Sequence, residues 1–581
     1  MDEGTSRNAR SCLIVAAILV LLMMVPVVFF WVLLRSFEAD EIEISGGTIL
    51  EVDLGAVVGD GPFPVDLGPF FGSGPLSLWE LNRALDTAAE DDDIVGVHLL
   101  IRGSAIGWAG AEEVLSHLDA VRAAGKPVHA LLESDLIDDH DYFLATGANR
   151  ILVSPAASAA INGIAAEAQF MRGTFDKLHI EPEVFMYKEY KSAGEGYANY
   201  EMSPYMRESL TAVLATTHER LLARIADRRG LDEAAVAAFM ERGIAAAEHL
   251  EAAGLADALG YSDELRSGLE RAAGVEDYKS VTVGTYLSAA RPAASTRPEI
   301  ALIFGEGPIV VSAPPSVLPF FQGQVFSGER VARHIREAAE DDDIRAIVFR
   351  VSSPGGSPVG SDLVRREIAN ARERGKTVVV SMGDVAGSGG YWVAMDADAI
   401  VAQPTTLTGS IGVVFTKLNL DGFYEWIGTR VERITTAPEA DLLSLGPLGE
   451  AGEQAVLSWM DSVYGRFTGH VARARELDPD EVAEIARGRV WSGADALELG
   501  LVDSMGGLAE AFVVAKERIG LDPEKKVPIL VLPRQRSFWQ QLFENDFTGV
   551  ATRPIGDELA SWVRELAAPQ VQVRSPSFRL R

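Results

Sequence analysis

One cysteine, Cys12, stands among 581 residues, so no disulfide can form within the chain and stability has to come from packed cores. Positive charge is scarce. Lys and Arg number 52 against 84 Asp and Glu, a net charge of −32. That balance excludes nucleic acid as a partner, which needs a basic face. It also disfavours docking of the globular part on an anionic membrane, and reads as a well-solvated surface. Histidine is sparse, with nine residues, and no His/Cys cluster has metal-ligand spacing, so no metal is expected. No P-loop lysine and no G-x-G-x-x-G follows a strand, which removes the usual grounds for a nucleotide cofactor. Beyond residue 34 no apolar run is long enough to span a bilayer.

What the chain does have begins with residues 12–34, an uninterrupted apolar run of 23 residues. At about 1.5 Å per residue it is long enough for a hydrocarbon core of about 30 Å. A cleaved signal peptide would have a shorter apolar region, of about 7–15 residues, and a small-x-small site behind it. Here Arg35-Ser36-Phe37-Glu38 follows instead. The expectation is an uncleaved transmembrane helix. Arg7 and Arg10 precede it and only Arg35 follows closely, which points residues 1–11 to the cytoplasm and the rest to the far side.

The string Ala-Ala-Glu-Asp-Asp-Asp-Ile occurs at 88–94 and again at 338–344. Gly-Lys-Pro-Val at 125–128 answers Gly-Lys-Thr-Val at 375–378, and Gly-Leu-Ala-Asp at 254–257 answers Gly-Leu-Val-Asp at 500–503. A period this long means two whole domains of one fold, because solenoid units repeat every 20–50 residues or so. Both copies alternate short apolar strands with helices, the pattern of βα units on a buried, largely parallel sheet. In the first copy the expected helices are 77–90, 109–124 and 141–147, and the strands 95–101, 127–132 and 150–153. In the second the helices are 328–340, 361–374 and 391–397, and the strands 300–304, 346–351, 377–381 and 400–402. Each copy then has a helical tail: 204–229, 232–241 and 246–253, then 450–476, 478–485 and 493–499. The expected divisions are a first repeat at 47–288, a linker at 289–297, a second repeat at 298–535 and a tail at 536–581. The tail reads as partly ordered or as a subunit contact.

The copies differ where chemistry would sit. The second has Gly387-Ser388-Gly389-Gly390 where the first has Asp138-Asp139-His140-Asp141. Ser388 at a helix N-terminus would meet free N–H groups and the positive end of the dipole, although serine there also serves as a plain N-cap. The turn Ser352-Ser353-Pro354-Gly355-Gly356-Ser357 ends a strand and exposes backbone N–H groups suited to an anion or a developing oxyanion. A nucleophilic serine needs a base. His334 and His470 sit in helical patterns and read as surface residues. His140 could serve as a cross-domain base, though three aspartates flank it. A lysine base must be neutral, which calls for burial. Lys191, in Glu189-Tyr190-Lys191-Ser192-Ala193, follows a strand-like 183–187, but composition alone does not separate it from Lys188.

These residues carry a resemblance. Tyr-Lys-Ser-Ala (190–193), Met-Ser-Pro (202–204), Ser-Pro-Gly-Gly-Ser (353–357), Ser-Gly-Gly-Tyr-Trp (388–392) and Leu-Thr-Gly-Ser-Ile-Gly (407–412) stand in the order found in signal peptide peptidase A, in its long, two-repeat, membrane-anchored bacterial form. The chain resembles that family over nearly its whole length. The resemblance implies an α/β fold of two tandem Clp-protease/crotonase-like repeats and a Ser–Lys dyad. Ser388 would be the nucleophile, Lys191 the general base and Ser410 the residue that orients the lysine. The N–H groups of Gly356, with Gly355 second, and Gly389 would form the oxyanion hole. It further implies hydrolysis of hydrophobic peptides, signal-peptide remnants, without metal or cofactor, by a homotetramer on the outer side of the bacterial inner membrane. One departure is the extra glycine in Gly194-Glu195-Gly196-Tyr197, which leaves the loop after Lys191 open in shape. The first copy holds the lysine and lacks the serine; the second holds the serine and lacks the lysine, with Ala437-Pro438-Glu439-Ala440 in its place. A site would have to form between them. Two rivals stand beside this reading. A non-catalytic membrane scaffold would have no reason to keep Ser388 and Lys191 in different halves, and a crotonase-type acyl-CoA enzyme would need a carboxylate beside the oxyanion turn.

Overall fold

The computed structural model describes residues 44–62, 65–66, 75–289, 297–313, 325–534, 536–537, 570–574 and 579–580. The expected anchor at 12–34, most of the 289–297 linker and most of the 536–581 tail lie outside them. Among the described residues no helix is long and apolar enough to cross a membrane.

The first repeat is built on a six-stranded sheet in the order Ala258–Leu259, Arg150–Val153, Val128–Leu132, Ile94–Ile101, Thr48–Asp53, Lys279–Thr282, and each of these pairings is parallel. The strand Ile94–Ile101, Ile-Val-Gly-Val-His-Leu-Leu-Ile, is buried along nearly all its length, as a sheet covered on both faces requires. The second repeat is an eight-stranded sheet whose main path runs Val490–Ser492, Leu407–Gly409, Thr377–Gly387, Ala346–Ser353, Ile300–Glu306, Ile529–Leu532. The helices Leu78–Glu90 and Gly328–Glu340 hold corresponding places, as do Trp108–Ala123 and Pro358–Glu373. Their apolar faces close two separate cores, one in each repeat.

Local chemistry fixes the helix ends. Ser77 and Glu80 form a reciprocal capping box at Leu78–Glu90. The long helix Pro204–Arg229 starts behind the cap Ser203 with proline in its first turn, and ends at Gly230, whose φ of 63° suits glycine. The expected bounds hold for 204–229, 328–340 and 150–153. Others move. Helix 361–374 begins earlier, at Pro358, because Ser357 caps it. Helix 141–147 is Asp139–Ala145, capped by Asp138, and 391–397 is Gly389–Ala394. The largest correction is the strand expected at 377–381, which runs on to Gly387. The strand continues past Gly383 and Asp384 to pair with Leu407–Gly409.

A third sheet mixes the repeats. Its order is Phe326–Ser327, Ile309–Val310, Gly355–Gly356, Gln570–Arg574, Val413–Asn419, Glu181–Tyr187. The first repeat's strand Glu181–Tyr187 pairs antiparallel with Val413–Asn419 of the second over seven residues, from Val413↔Tyr187 to Asn419↔Glu181. From the tail, Gln570–Arg574 pairs with both Gly355–Gly356 and Val413–Asn419, and Arg579–Leu580 pairs with Ala166–Glu167.

Ionic contacts complete the seam. Arg350, 1% exposed, reaches Glu113 at 2.6 Å and Asp60 at 3.2 Å, both in the first repeat. It also donates to Ser381 Oγ (2.9 Å) and the Met382 carbonyl (3.2 Å). Glu306 accepts the N–H groups of Asp60 (3.0 Å) and Gly61 (2.6 Å). Burial, with the Asp60 charge nearby, pushes the Glu306 carboxyl up to about 7. Removing a buried ion's partner leaves an uncompensated charge, at about 3–5 kcal/mol. Arg350→Ala should therefore lower the unfolding free energy by about that amount, read by urea titration; a loss below 1 kcal/mol or so would show that the cluster carries no net weight.

Candidate active site

Ser388 closes the strand Thr377–Gly387 and precedes the helix Gly389–Ala394. Its φ of 58° and ψ of −112° are rare for a residue with a side chain. Its N–H donates to the Gly409 carbonyl at 2.7 Å. The helix lies tight on the turn that ends the neighbouring strand. A Cβ on Gly389 would come within 3.1 Å of the Gly356 nitrogen, and one on Gly390 within 2.5 Å of the Ser353 carbonyl. The Gly-Gly pair after the serine is thus a requirement of close approach. Across from it, Gly355 and Gly356 have φ of 98° and 154°. Gly355 N–H donates to Ser353 Oγ (3.1 Å), which itself donates to the Gly307 carbonyl (2.8 Å).

Lys191 arrives from the first repeat, just beyond the strand that pairs with Val413–Asn419. Its Nζ lies 2.7 Å from Ser388 Oγ, 2.8 Å from the Ser410 carbonyl oxygen and 3.0 Å from Ser410 Oγ. Lys191, Ser388 and Ser410 each have 0% exposure. Burial alone pushes the Lys191 amine well below its ordinary 10.5. Ser410, with φ 52°, is held by its N–H bond to the Arg489 carbonyl (2.6 Å). Two glycines line the lysine: a Cβ on Gly488 would sit 2.5 Å from its backbone nitrogen, and one on Gly412, the last residue of the 407–412 motif, 3.0 Å from its Cδ. No local pattern could have found Gly488, because it meets Lys191 only once the chain is folded.

The other candidates separate cleanly. Lys188 is exposed and stacks over the Tyr187 ring at 4.7 Å. His140 packs edge-on against Trp108, with ring centroids 5.2 Å apart, while the Ser388 hydroxyl meets Lys191. His334, expected on a surface, turns inward at 9% exposure; His470 meets Arg473. The loop after Lys191 is a 3-10 turn, Ser192–Gly194, running into Glu195–Ala198. Glu195 is buried there and accepts from the Ser203 N–H (2.9 Å) and hydroxyl (2.6 Å). In the first repeat, Asp139 stands at the serine position, buried, accepting the N–H groups of Asn162 and Gly163 at 3.1 Å each. Of the three aspartates around His140, Asp139 and Asp141 are buried, while Asp138 is exposed and caps the helix through the Asp141 N–H.

The site brings a serine of the second repeat and a buried lysine of the first into hydrogen-bond contact. The model of peptidase family S49 matches residues 120–276 and 370–522, one stretch in each repeat. The chain belongs to that family of serine peptidases. It is 34% identical to the chloroplastic serine protease SPPA of Arabidopsis thaliana, over 79% of this chain and 68% of that protein. It is 32% identical to Protease 4 of Salmonella typhi over 76% and 72%, and 27% identical to Protease 4 of Haemophilus influenzae over 76% and 73%.

The buried amine makes stability depend on pH. Unfolded, Lys191 keeps its proton up to about 10.5; folded, it sheds it earlier. Between the two values unfolding takes up a proton, so stability rises with pH through that window. Lys191→Met lacks the effect. The stability difference, wild type minus variant, should climb as pH rises toward 10.5 in urea titrations; a flat difference would mean that the folded amine is charged.

Proposed function

We propose that this chain is a membrane-anchored endopeptidase that degrades hydrophobic peptides, in particular signal-peptide remnants, through a Ser388–Lys191 dyad. The observation that carries the reading is the 2.7 Å contact between Lys191 Nζ and Ser388 Oγ in a site without solvent exposure. Neutral Lys191 takes the Ser388 proton as the hydroxyl attacks the scissile carbonyl, and returns it to the leaving amine; a water repeats the sequence to free the acyl group. Ser410 accepts two N–H bonds from the amine, which turns its lone pair toward Ser388. Gly356 and Gly389 supply the oxyanion N–H groups. Gly355 ranks behind them because its N–H already serves Ser353 Oγ.

The substrate class draws support from the backbone. Gln570–Arg574 lies antiparallel to Gly355–Gly356 on one side and to Val413–Asn419 on the other. An extended peptide thus fits the slot beside the oxyanion turn, where main-chain bonds give affinity without demanding a sequence. The apolar run at 12–34 would anchor the enzyme in the bacterial inner membrane with its sites on the extracytoplasmic side, and a homotetramer is the assembly that the resemblance implies. The crotonase reading draws no support here: among the described residues, Lys191 Nζ bonds to Ser388 Oγ and to Ser410, and none of these partners is a carboxylate.

Detergent-solubilised protein should cleave a hydrophobic signal-peptide fragment, followed by mass spectrometry, and both Ser388→Ala and Lys191→Ala should lose at least about 10³-fold in kcat while remaining folded. Cleavage that survives Lys191→Ala would remove the dyad. Replacing 570–574 with a Gly/Ser stretch should lower the apparent KM for added peptide, since a tethered competitor leaves the slot; an unchanged KM would place the substrate elsewhere.

A further inference from the structure

The two central strands of the second repeat keep step as far as Val351↔Met382. The next pairing is Ser353↔Ala386, two residues further along one strand and four along the other. The extra backbone, residues 383–385, is a bulge that ends just short of Ser388, and the first repeat grips it. Gly383 lies so close to Asp60 that a Cβ would sit 2.6 Å from the carboxylate. Asp384 leaves its own repeat altogether. Its Oδ2 accepts the N–H of Gly107 at 3.2 Å and its Oδ1 that of Gly110 at 3.0 Å. These open the helix Trp108–Ala123, whose N-cap, Gly107, offers no side chain of its own. A Cβ on Gly107 would fall 2.3 Å from Asp384 Cγ.

That corner has a counterpart. It joins the strand Ile94–Ile101 to the helix Trp108–Ala123, as the Gly355–Gly356 turn joins Ala346–Ser353 to Pro358–Glu373. The same brace recurs: Ser104 Oγ accepts the Ile106 N–H at 3.2 Å, as Ser353 Oγ accepts that of Gly355 at 3.1 Å. The first repeat has lost its serine and its Pro-Gly-Gly turn, yet its corner still binds a carboxyl group through backbone N–H groups. That group belongs to a side chain four residues ahead of Ser388.

We propose that Asp384 is a positioning residue: seated in the first repeat's decayed corner, it fixes the bulge and thereby aims Ser388 between Lys191 and the Gly355–Gly356 turn. This rests on Ser388 being the nucleophile. The rare backbone angles of Ser388 have to be imposed from outside. On one side the Ser388 N–H bond to Gly409 does so. On the other it is the bulge, tied by Asp384, by the Met382 carbonyl on Arg350 and by the Gly383 carbonyl on Thr406 Oγ1 (2.9 Å).

The test reads Ser388 directly, by the rate at which a fluorophosphonate forms the Oγ–P bond with release of fluoride, followed by intact-protein mass spectrometry. Alongside it run kcat and KM for the peptide. Asp384→Ala, and Gly107→Ala from the opposite side of the contact, should each slow labelling and kcat by about 10- to 100-fold, the scale of a displacement near 1 Å. KM should change less than about threefold, since the slot is untouched. Asp384→Asn, which keeps one acceptor, should retain more activity than Asp384→Ala, and decides the matter if the alanine variant does not fold. Leu85→Ala, a core truncation in the first repeat, should lower Tm without changing kcat per folded molecule. Wild-type labelling rates in folded Asp384→Asn and Gly107→Ala would overturn the proposal, as would an equal loss in Leu85→Ala. Failure of the unaltered protein to label at Ser388 would instead overturn the functional reading itself.

Discussion

A lysine with 0% exposure and, among the described residues, no carboxylate bonded to it is the constraint from which the rest of this structure follows. An ammonium group cannot be kept dry at ordinary cost, so the enclosure itself selects the neutral amine. Enclosure has to come from all sides. Glycines at 412 and 488 let backbone close directly on the side chain, and Ser410 takes up its hydrogens. The wall opposite is the helix that begins behind Ser388. Any carboxylate added for stability would bring the charge back, so the site is held by packing and main-chain bonds.

Division between two repeats solves a geometric difficulty. A single βα unit that carried both groups would have to bend its own chain around the amine. Here the first repeat lends a strand, Glu181–Tyr187, to the edge of Val413–Asn419 in the second, and the lysine follows that strand into the site. Seven paired residues fix its register, and a slip by one would turn every side chain to the opposite face. The ion cluster around Arg350 holds the same seam beside the bulge that precedes Ser388. Duplication thus left two corners with the same backbone plan, one beside the helix that follows Ser388 and one occupied by a carboxylate from its neighbour.

The sequence made much of this legible, for identifiable reasons. Apolar strands between capped helices carry their pattern locally, so 204–229 and 328–340 could be read directly. The duplicated string at 88–94 and 338–344 exposed two domains of one kind. The serine and lysine were found through short motifs in a familiar order rather than from periodicity. What escaped depended on contacts across the seam. Gly383 and Asp384 go unmarked because their partners, Asp60 and Gly107, lie hundreds of residues away. His140 sits beside the serine-equivalent position, yet its ring is spent on Trp108. Lys188 and Lys191 differ by three places in the chain, but only one of them is turned inward.

Because the strand that delivers the lysine finds its partner only in the second repeat, the order of synthesis has a consequence for the cell. The first repeat emerges bearing Lys191 with no Ser388 to meet. Ser388 follows nearly 200 residues later, and Gly488, its neighbour in the lysine sleeve, later still. A ribosome that stalls anywhere before that point releases a fragment in which the site is not assembled. Under the proposed dyad, the seam would do the work that a removable pro-segment does in other proteases.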